Sequence, residues 1–208
     1  MKNKIAMLMA ALALIGTSVY AAPDRTGKTD VGVDVAYSDL TDDETNSATY
    51  VGGSVSHGLN EWLALGVSFG WQSFGSDDVF ISGVTIPGPD LRSYPLFADI
   101  IVRIPTGDQP FVPYGVIGFG AIFWDADEVT ASNGVKIKTD VDTSFGFKLA
   151  GGVDWFLNDH WALNFNGGYV FTDANTTVTA TAGNLSVSAA DKSDLDYWTI
   201  GAGLKFIF

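Results

Sequence analysis

The chain has 208 residues, 24 acidic against 11 basic side chains, a formal net charge of −13, 47% hydrophobic residues, 27 aromatic residues (6 Trp, 7 Tyr, 14 Phe) and no cysteine. So many rings exclude an acidic disordered polymer. The absence of a Lys/Arg cluster beyond Met1–Lys4 excludes an electrostatic nucleic-acid binder, and the lack of cysteine removes disulfides, thiolate metal sites and thiol nucleophiles.

At the start, Lys2 and Lys4 precede an unbroken apolar run of 11 residues, Ile5 to Ile15, and then Val19-Tyr20-Ala21. This pattern predicts a signal peptide over 1–21, with 22–208 as the mature domain; a membrane helix needs about 20 apolar residues. Cleavage is expected after Ala21, with Ala22 as the alternative. It removes two lysines and no acid, so the net charge falls from −13 to −15.

Beyond the leader the hydrophobic period is two. Eight segments follow it: 30–38, 48–57, 62–74, 93–104, 111–124, 144–157, 161–171 and 196–208. In the third, Leu63, Leu65, Val67, Phe69 and Trp71 share one face, and Ala64, Gly66, Ser68, Gly70 and Gln72 the other. At 180° per residue these are strands with one apolar and one small or polar face. Short links (58–61, 105–110, 158–160) alternate with long polar ones (39–47, 75–92, 125–143, 172–195). The prediction is an all-β, eight-stranded antiparallel up-and-down transmembrane β-barrel, with short periplasmic turns and long extracellular loops. The last long loop, rich in Thr, Ser, Ala and Val, is expected to continue its flanking strands outward as a protruding sheet.

A soluble barrel would turn the apolar face inward and crowd Trp62, Trp71, Phe145, Trp155, Trp161, Phe165 and Phe171 into a lumen that holds only moderate side chains. That face therefore meets lipid, and the aromatics at strand ends form interfacial girdles. The chain ends with Phe206 and Phe208 on the apolar face, a candidate signal for barrel assembly machinery.

Most acids, from Asp39 to Asp196, fall in the long loops or at their edges, where they make a repulsive outer surface; divalent-cation binding is the sharper alternative, without a calcium-loop spacing to support it. By parity Asp34, Asp99, Arg103, Lys148, Asp154 and Lys205 point into the lumen, as internal ion pairs plugging the lower barrel or as an ion path. An apolar upper lumen is expected from Phe97, Ile101, Val116, Ile122, Trp124, Val170 and Tyr197. No metal or organic cofactor is indicated.

Tyr94-Pro95-Leu96, followed by Phe111-Val112-Pro113-Tyr114-Gly115-Val116-Ile117-Gly118-Phe119-Gly120, resembles the fourth and fifth strands of the outer-membrane protein W (OmpW) family, with the glycine pattern shifted to 115, 118 and 120. The hairpin Ala150-Gly151-Gly152-Val153-Asp154-Trp155 to Trp161-Ala162-Leu163-Asn164 and the ending Ile200-Gly201-Ala202-Gly203-Leu204-Lys205-Phe206 are similar to that family's later strands. The resemblance is good from Tyr94 onward and poor before it. It implies a narrow barrel passing small hydrophobic molecules across the outer membrane of a Gram-negative bacterium, with a lateral opening eased by Pro95, Pro113, Gly118 and Gly120.

Two other classes compete. An outer-leaflet lipid enzyme would need a histidine beside a serine and an acid at the outer rim, but His57 and His160 both lie near short turns, so no enzyme is expected. A structural or adhesive barrel with a closed lumen would act through its acidic loops. The expected partners are outer-membrane lipid and lipopolysaccharide, the assembly machinery and small hydrophobic solutes, with no nucleic acid.

Overall fold

The computed structural model describes residues 21–41, 47–81 and 83–208. Residues 1–20 of the expected leader and the loop acids Asp42, Asp43 and Glu44 lie outside them. The strands are β1 (Thr29–Leu40), β2 (Ala48–Gly58), β3 (Leu63–Phe74), β4 (Val79–Ile81), β5 (Val84–Ile86), β6 (Leu91–Arg103), β7 (Phe111–Ala126), β8 (Val129–Thr130), β9 (Lys136–Val141), β10 (Ser144–Phe156), β11 (Trp161–Ala182), β12 (Leu185–Asp194) and β13 (Tyr197–Ile207). There is no helix among the described residues.

Eight strands form the barrel. In the order β1, β2, β3, β6, β7, β10, β11, β13 each pairs antiparallel with the next, and β13 pairs back onto β1. Closure leaves no sheet edge within the wall, as a lipid environment requires. All eight expected segments lie in this ring. Register sets the faces: Val33, Phe69, Phe119 and Ile200 point outward and are more than half exposed, while Ser38, Gln72, Ser93 and Asn164 point inward and are buried. An outer aromatic row runs across three strands, Phe119 to Phe147 at 4.9 Å and Phe147 to Phe171 at 6.0 Å between ring centroids.

Two short turns at the periplasmic end share one device. Asn60 Oδ1 accepts from the amides of Trp62 and Leu63 (2.9 and 2.8 Å), and Asn158 Oδ1 from those of His160 and Trp161 (both 2.9 Å). Such side-chain turns reverse the chain in few residues. Trp62 thus belongs to the turn and not to the strand that was expected to begin with it.

Above the barrel, β11 runs 22 residues, well past the expected end at 171. Its outer half pairs with β12 on one side and β9 on the other, and β9 carries β8. The protruding sheet therefore recruits the preceding long loop as well as the last one. Gly183, at φ +60°, opens the β11–β12 turn in a conformation that favours glycine.

Candidate functional site: the barrel lumen

The lumen is layered. Uppermost, Leu40, Ala48, Phe74, Phe97, Ile122, Trp124, Val170, Ala174 and Tyr197 pack as one buried cluster. Beside it, Gln72 Nε2 donates to Ser93 Oγ (2.9 Å), and Trp124 Nε1 and Thr172 Oγ1 both donate to Ser144 Oγ (2.8 Å each).

Beneath lies a cavity of about 140 Å³, with Phe97, Ile101, Val116, Val170 and Tyr197 among its apolar walls and Asp34, Tyr50, Lys148 and Lys205 among its polar ones. Lys148 Nζ donates to Asp99 (3.0 Å) and Ser68 (2.8 Å) and sits 4.9 Å from the Phe97 ring centroid. Asn166 Nδ2 donates to Asp34 Oδ1 (3.1 Å). The Tyr50 ring fills the space that a Cβ would occupy at Gly52 and Gly70, and its hydroxyl donates to the Phe69 carbonyl (3.2 Å).

The floor is ionic. Asp154 accepts from Lys205 (2.8 Å), Asn164 (2.8 Å) and Arg25 (2.7 Å); Asp30 accepts from Arg103 (2.7 Å), Ser56 (3.1 Å) and Arg25. Below it Val112, Phe156, Ala162 and Ile207 form a second, smaller apolar cluster.

All the lumen residues expected from sequence point inward, yet they are not one group. Phe97, Ile122, Trp124, Val170 and Tyr197 form the upper cluster, while Ile101 and Val116 belong to the cavity wall below it. Of the charged set, Arg103, Asp154 and Lys205 share the floor, Asp99 and Lys148 pair at cavity height, and Asp34 bonds an amide rather than a cation. Sequence reasoning missed Arg25 and Asp30. Asp30 was readable, since it shares parity with Asp34; Arg25 precedes the first strand, where no periodicity assigns a direction. With these two included, the lumen holds four carboxylates (Asp30, Asp34, Asp99, Asp154) against four cations (Arg25, Arg103, Lys148, Lys205).

The wall has one lapse. Pairing of β3 with β6 runs from Leu63↔Val102 to Phe69↔Leu96, stops, and resumes at Gln72↔Ser93. The gap faces Tyr94 and Pro95. Proline has no N–H to give the ladder, and Pro95 also lines the cavity. Beside Pro113, Gly118 and Gly120 the β6–β7 and β7–β10 ladders are unbroken.

At the outer rim, Lys192 Nζ donates to Asp173 (2.5 Å). That bond holds the Asp173 carboxyl below the usual aspartate range, and hydrogen bonding to Asp173 pushes Asp194 above it. No group of three or more acids and histidines among the described residues is arranged to hold a metal ion. His57 Nδ1 lies 3.1 Å from Thr29 Oγ1 and His160 Nδ1 3.0 Å from the Ile207 carbonyl, both at the short-turn end. Phe206 packs edge-on against Trp161 (4.8 Å) and Phe208 (4.8 Å) on the outer face.

A closed antiparallel barrel with an apolar exterior and polar and ionic groups in its lumen is a transmembrane β-barrel. The profile of the outer membrane protein beta-barrel domain matches residues 9–208, and the chain belongs to that family. Its solved structural neighbours include OprG of Pseudomonas aeruginosa (18% identity over 90% of this chain and 97% of that one, TM-score 0.63). A major outer membrane protein of Thermus thermophilus (12%, 86% and 99%, 0.58) and AlkL in DMPC lipid bilayers (13%, 93% and 95%, 0.55) are further neighbours. At such identities the likeness is one of fold. No curated protein matches the chain in sequence.

Proposed function

We propose that this outer-membrane barrel is a narrow conduit for small hydrophobic molecules, of the OmpW type. The observation that carries the reading is the cavity, roofed by the apolar cluster and flanked by the Pro95 lapse in the wall. A solute entering from outside crosses the ring of Leu40, Trp124 and Ile122, rests in the cavity, and leaves sideways between β3 and β6 into the bilayer. An apolar cavity of ~150 Å³ accommodates benzene; this one, of about 140 Å³, matches it in volume, with Ile101 and Val116 among its apolar walls and Asp34, Asp99, Lys148 and Lys205 among its polar ones. The upper cluster is closed at rest, and passage requires its side chains to move. The same reading carries export by a leader cleaved after Ala21, insertion guided by Phe206 and Phe208, and residence among outer-membrane lipid and lipopolysaccharide of a Gram-negative bacterium. No enzymatic role is proposed.

Proteoliposome uptake of a hydrophobic fluorophore tests the conduit. Ile122→Asn and Trp124→Gln should each slow uptake several-fold, and Val116→Trp, which fills the cavity, should abolish it. Heat-modifiable migration in detergent gels confirms that each variant is folded. Unchanged uptake in all three folded variants overturns the reading.

One observation favours a second reading, a barrel acting through its loops. The outer sheet of β12, β11, β9 and β8 exposes Leu185 and Val187 more than 70%. If that reading holds, the intact barrel shows no uptake, and replacing 176–190 by a short turn abolishes adhesion.

A further inference from the structure

The segment before β1 is built into the barrel floor. Ala22 packs on the cluster of Val112, Phe156, Ala162 and Ile207, and its N–H donates to the Gln109 carbonyl (3.1 Å). Gly27 N–H donates to the Gly58 carbonyl (2.8 Å), and Gly58 N–H to the Lys28 carbonyl (2.9 Å). Gly58 is flush with the segment: a Cβ there would collide with the Arg25 carbonyl oxygen.

Arg25 is the residue this packing inserts. It is 4% exposed. One guanidinium nitrogen donates to Asp154 (2.7 Å), another to Asp30, and Cζ lies 5.6 Å from the Phe156 ring centroid. Asp30 is on β1 and Asp154 on β10, strands that are not neighbours in the ring, so the side chain spans the lumen. Two carboxylates and an aromatic face are what a planar, five-donor cation binds best.

Neither carboxylate that Arg25 bridges depends on it for a partner. Without it Asp154 keeps Lys205 and Asn164, and Asp30 keeps Arg103 and Ser56. A group that makes buried, directional bonds yet leaves its partners paired when it departs behaves as a ligand and not as a wall element.

We propose that residues 22–28 are a tethered ligand, docking the Arg25 guanidinium into a receptor made by Asp30, Asp154 and Phe156, and that this docking shuts the periplasmic end of the lumen. Undocking opens the floor to water. The role as a gate rests on the conduit reading; the docking itself does not. A free guanidinium ion fits the same receptor once Arg25 is gone.

The chain has no cysteine, so a single reporter serves. Ser56, 8% exposed, donates to Asp30 (3.1 Å), the carboxylate that also accepts from Arg25. Residues 22–208 carrying Ser56→Cys are treated in detergent micelles with a trimethylammonium-bearing methanethiosulfonate. Labelling should be slow in this parent and about tenfold faster with Arg25→Ala, the shift expected when a local closure opens. Gly58→Ala, which keeps Arg25 but lifts the segment, should accelerate it too. Millimolar guanidinium chloride should slow labelling of the Arg25→Ala variant again, and equal sodium chloride should not. Gel migration establishes that both variants are folded. The proposal is overturned if neither variant labels faster than the parent, or if guanidinium does no more than sodium. No hydrophobic solute takes part, so failure here is separable from failure of the uptake assay.

Discussion

Asp154 is the residue on which the floor depends, and Asp154→Asn tests how far. Its side chain is 2% exposed and receives three donors, from Lys205, Asn164 and Arg25, at 2.7–2.8 Å. Hydrogen bonds to a charged group contribute about 1.5–3 kcal/mol each, but their sum overstates the loss, because removing the carboxylate also removes its own desolvation cost. The larger effect falls on the partners. Asparagine keeps one acceptor and turns a donor toward Arg25 or Lys205, leaving a buried cation uncompensated, which costs about 3–5 kcal/mol. Urea unfolding in lipid vesicles, followed by tryptophan fluorescence and extrapolated linearly, measures it. A second substitution, Lys205→Met, removes one stranded cation, so the double variant should recover about 2 kcal/mol of the loss as a coupling energy. A loss below about 1 kcal/mol for Asp154→Asn, or additivity of the two substitutions, would refute a floor held by buried charge.

Other outcomes follow from the lumen and its rim. Pro95→Ala supplies the missing N–H opposite Gly70; it should stabilise the barrel by about 0.5–1.5 kcal/mol and protect the new amide from hydrogen exchange, and an unprotected amide would show that proline is not what interrupts the ladder. Under the lateral-exit reading the same substitution slows uptake. Trp124→Phe removes a donor from Ser144, which retains Thr172, and should cost about 1 kcal/mol in the same unfolding assay. At the rim, the depressed Asp173 pKa adds stability at neutral pH that is lost as pH falls through its folded value, whereas the raised Asp194 pKa imposes a cost at neutral pH that is relieved as pH falls. Exchange protection at the base of β11–β12 should therefore rise on mild acidification and fall again at lower pH, and Lys192→Ala should move the Asp173 titration upward in carboxyl NMR.

The barrel was legible because its two environments are chemically opposite: residues facing lipid and residues facing the lumen alternate without interruption, so Leu63 to Trp71 declares both faces at once. The outer half of β11 was harder to read. Thr176 to Ala182 is small or polar on both faces, and above the membrane neither face has to be strongly apolar. Its partner β9, Lys136–Val141, belongs to a different loop, and a pairing between separate loops leaves no local trace. The lumen charges were legible one by one through parity, but their pairing was not. Asp99 was assigned the lower plug, whereas it binds Lys148 at cavity height, because parity gives the face and only the stagger between strands gives the height.

Net charge illustrates the same division. The chain is acidic overall, and the excess sits outside, at positions such as Asp173, Asp194 and Asp196. Inside, four carboxylates meet four cations, so the lumen carries no formal net charge. In the proposed conduit desolvation opposes an ion, which would have to cross the apolar cluster of Phe74, Phe97, Ile122 and Tyr197 without its water. An uncharged apolar solute faces no such penalty there. Selectivity in the proposed conduit thus resides in the roof, and the charges below stiffen the floor and hold the N-terminal segment. An Ile122→Asn variant that passes potassium while losing uptake of the hydrophobic probe would place the filter at that ring, whereas a variant that passes neither would place it elsewhere.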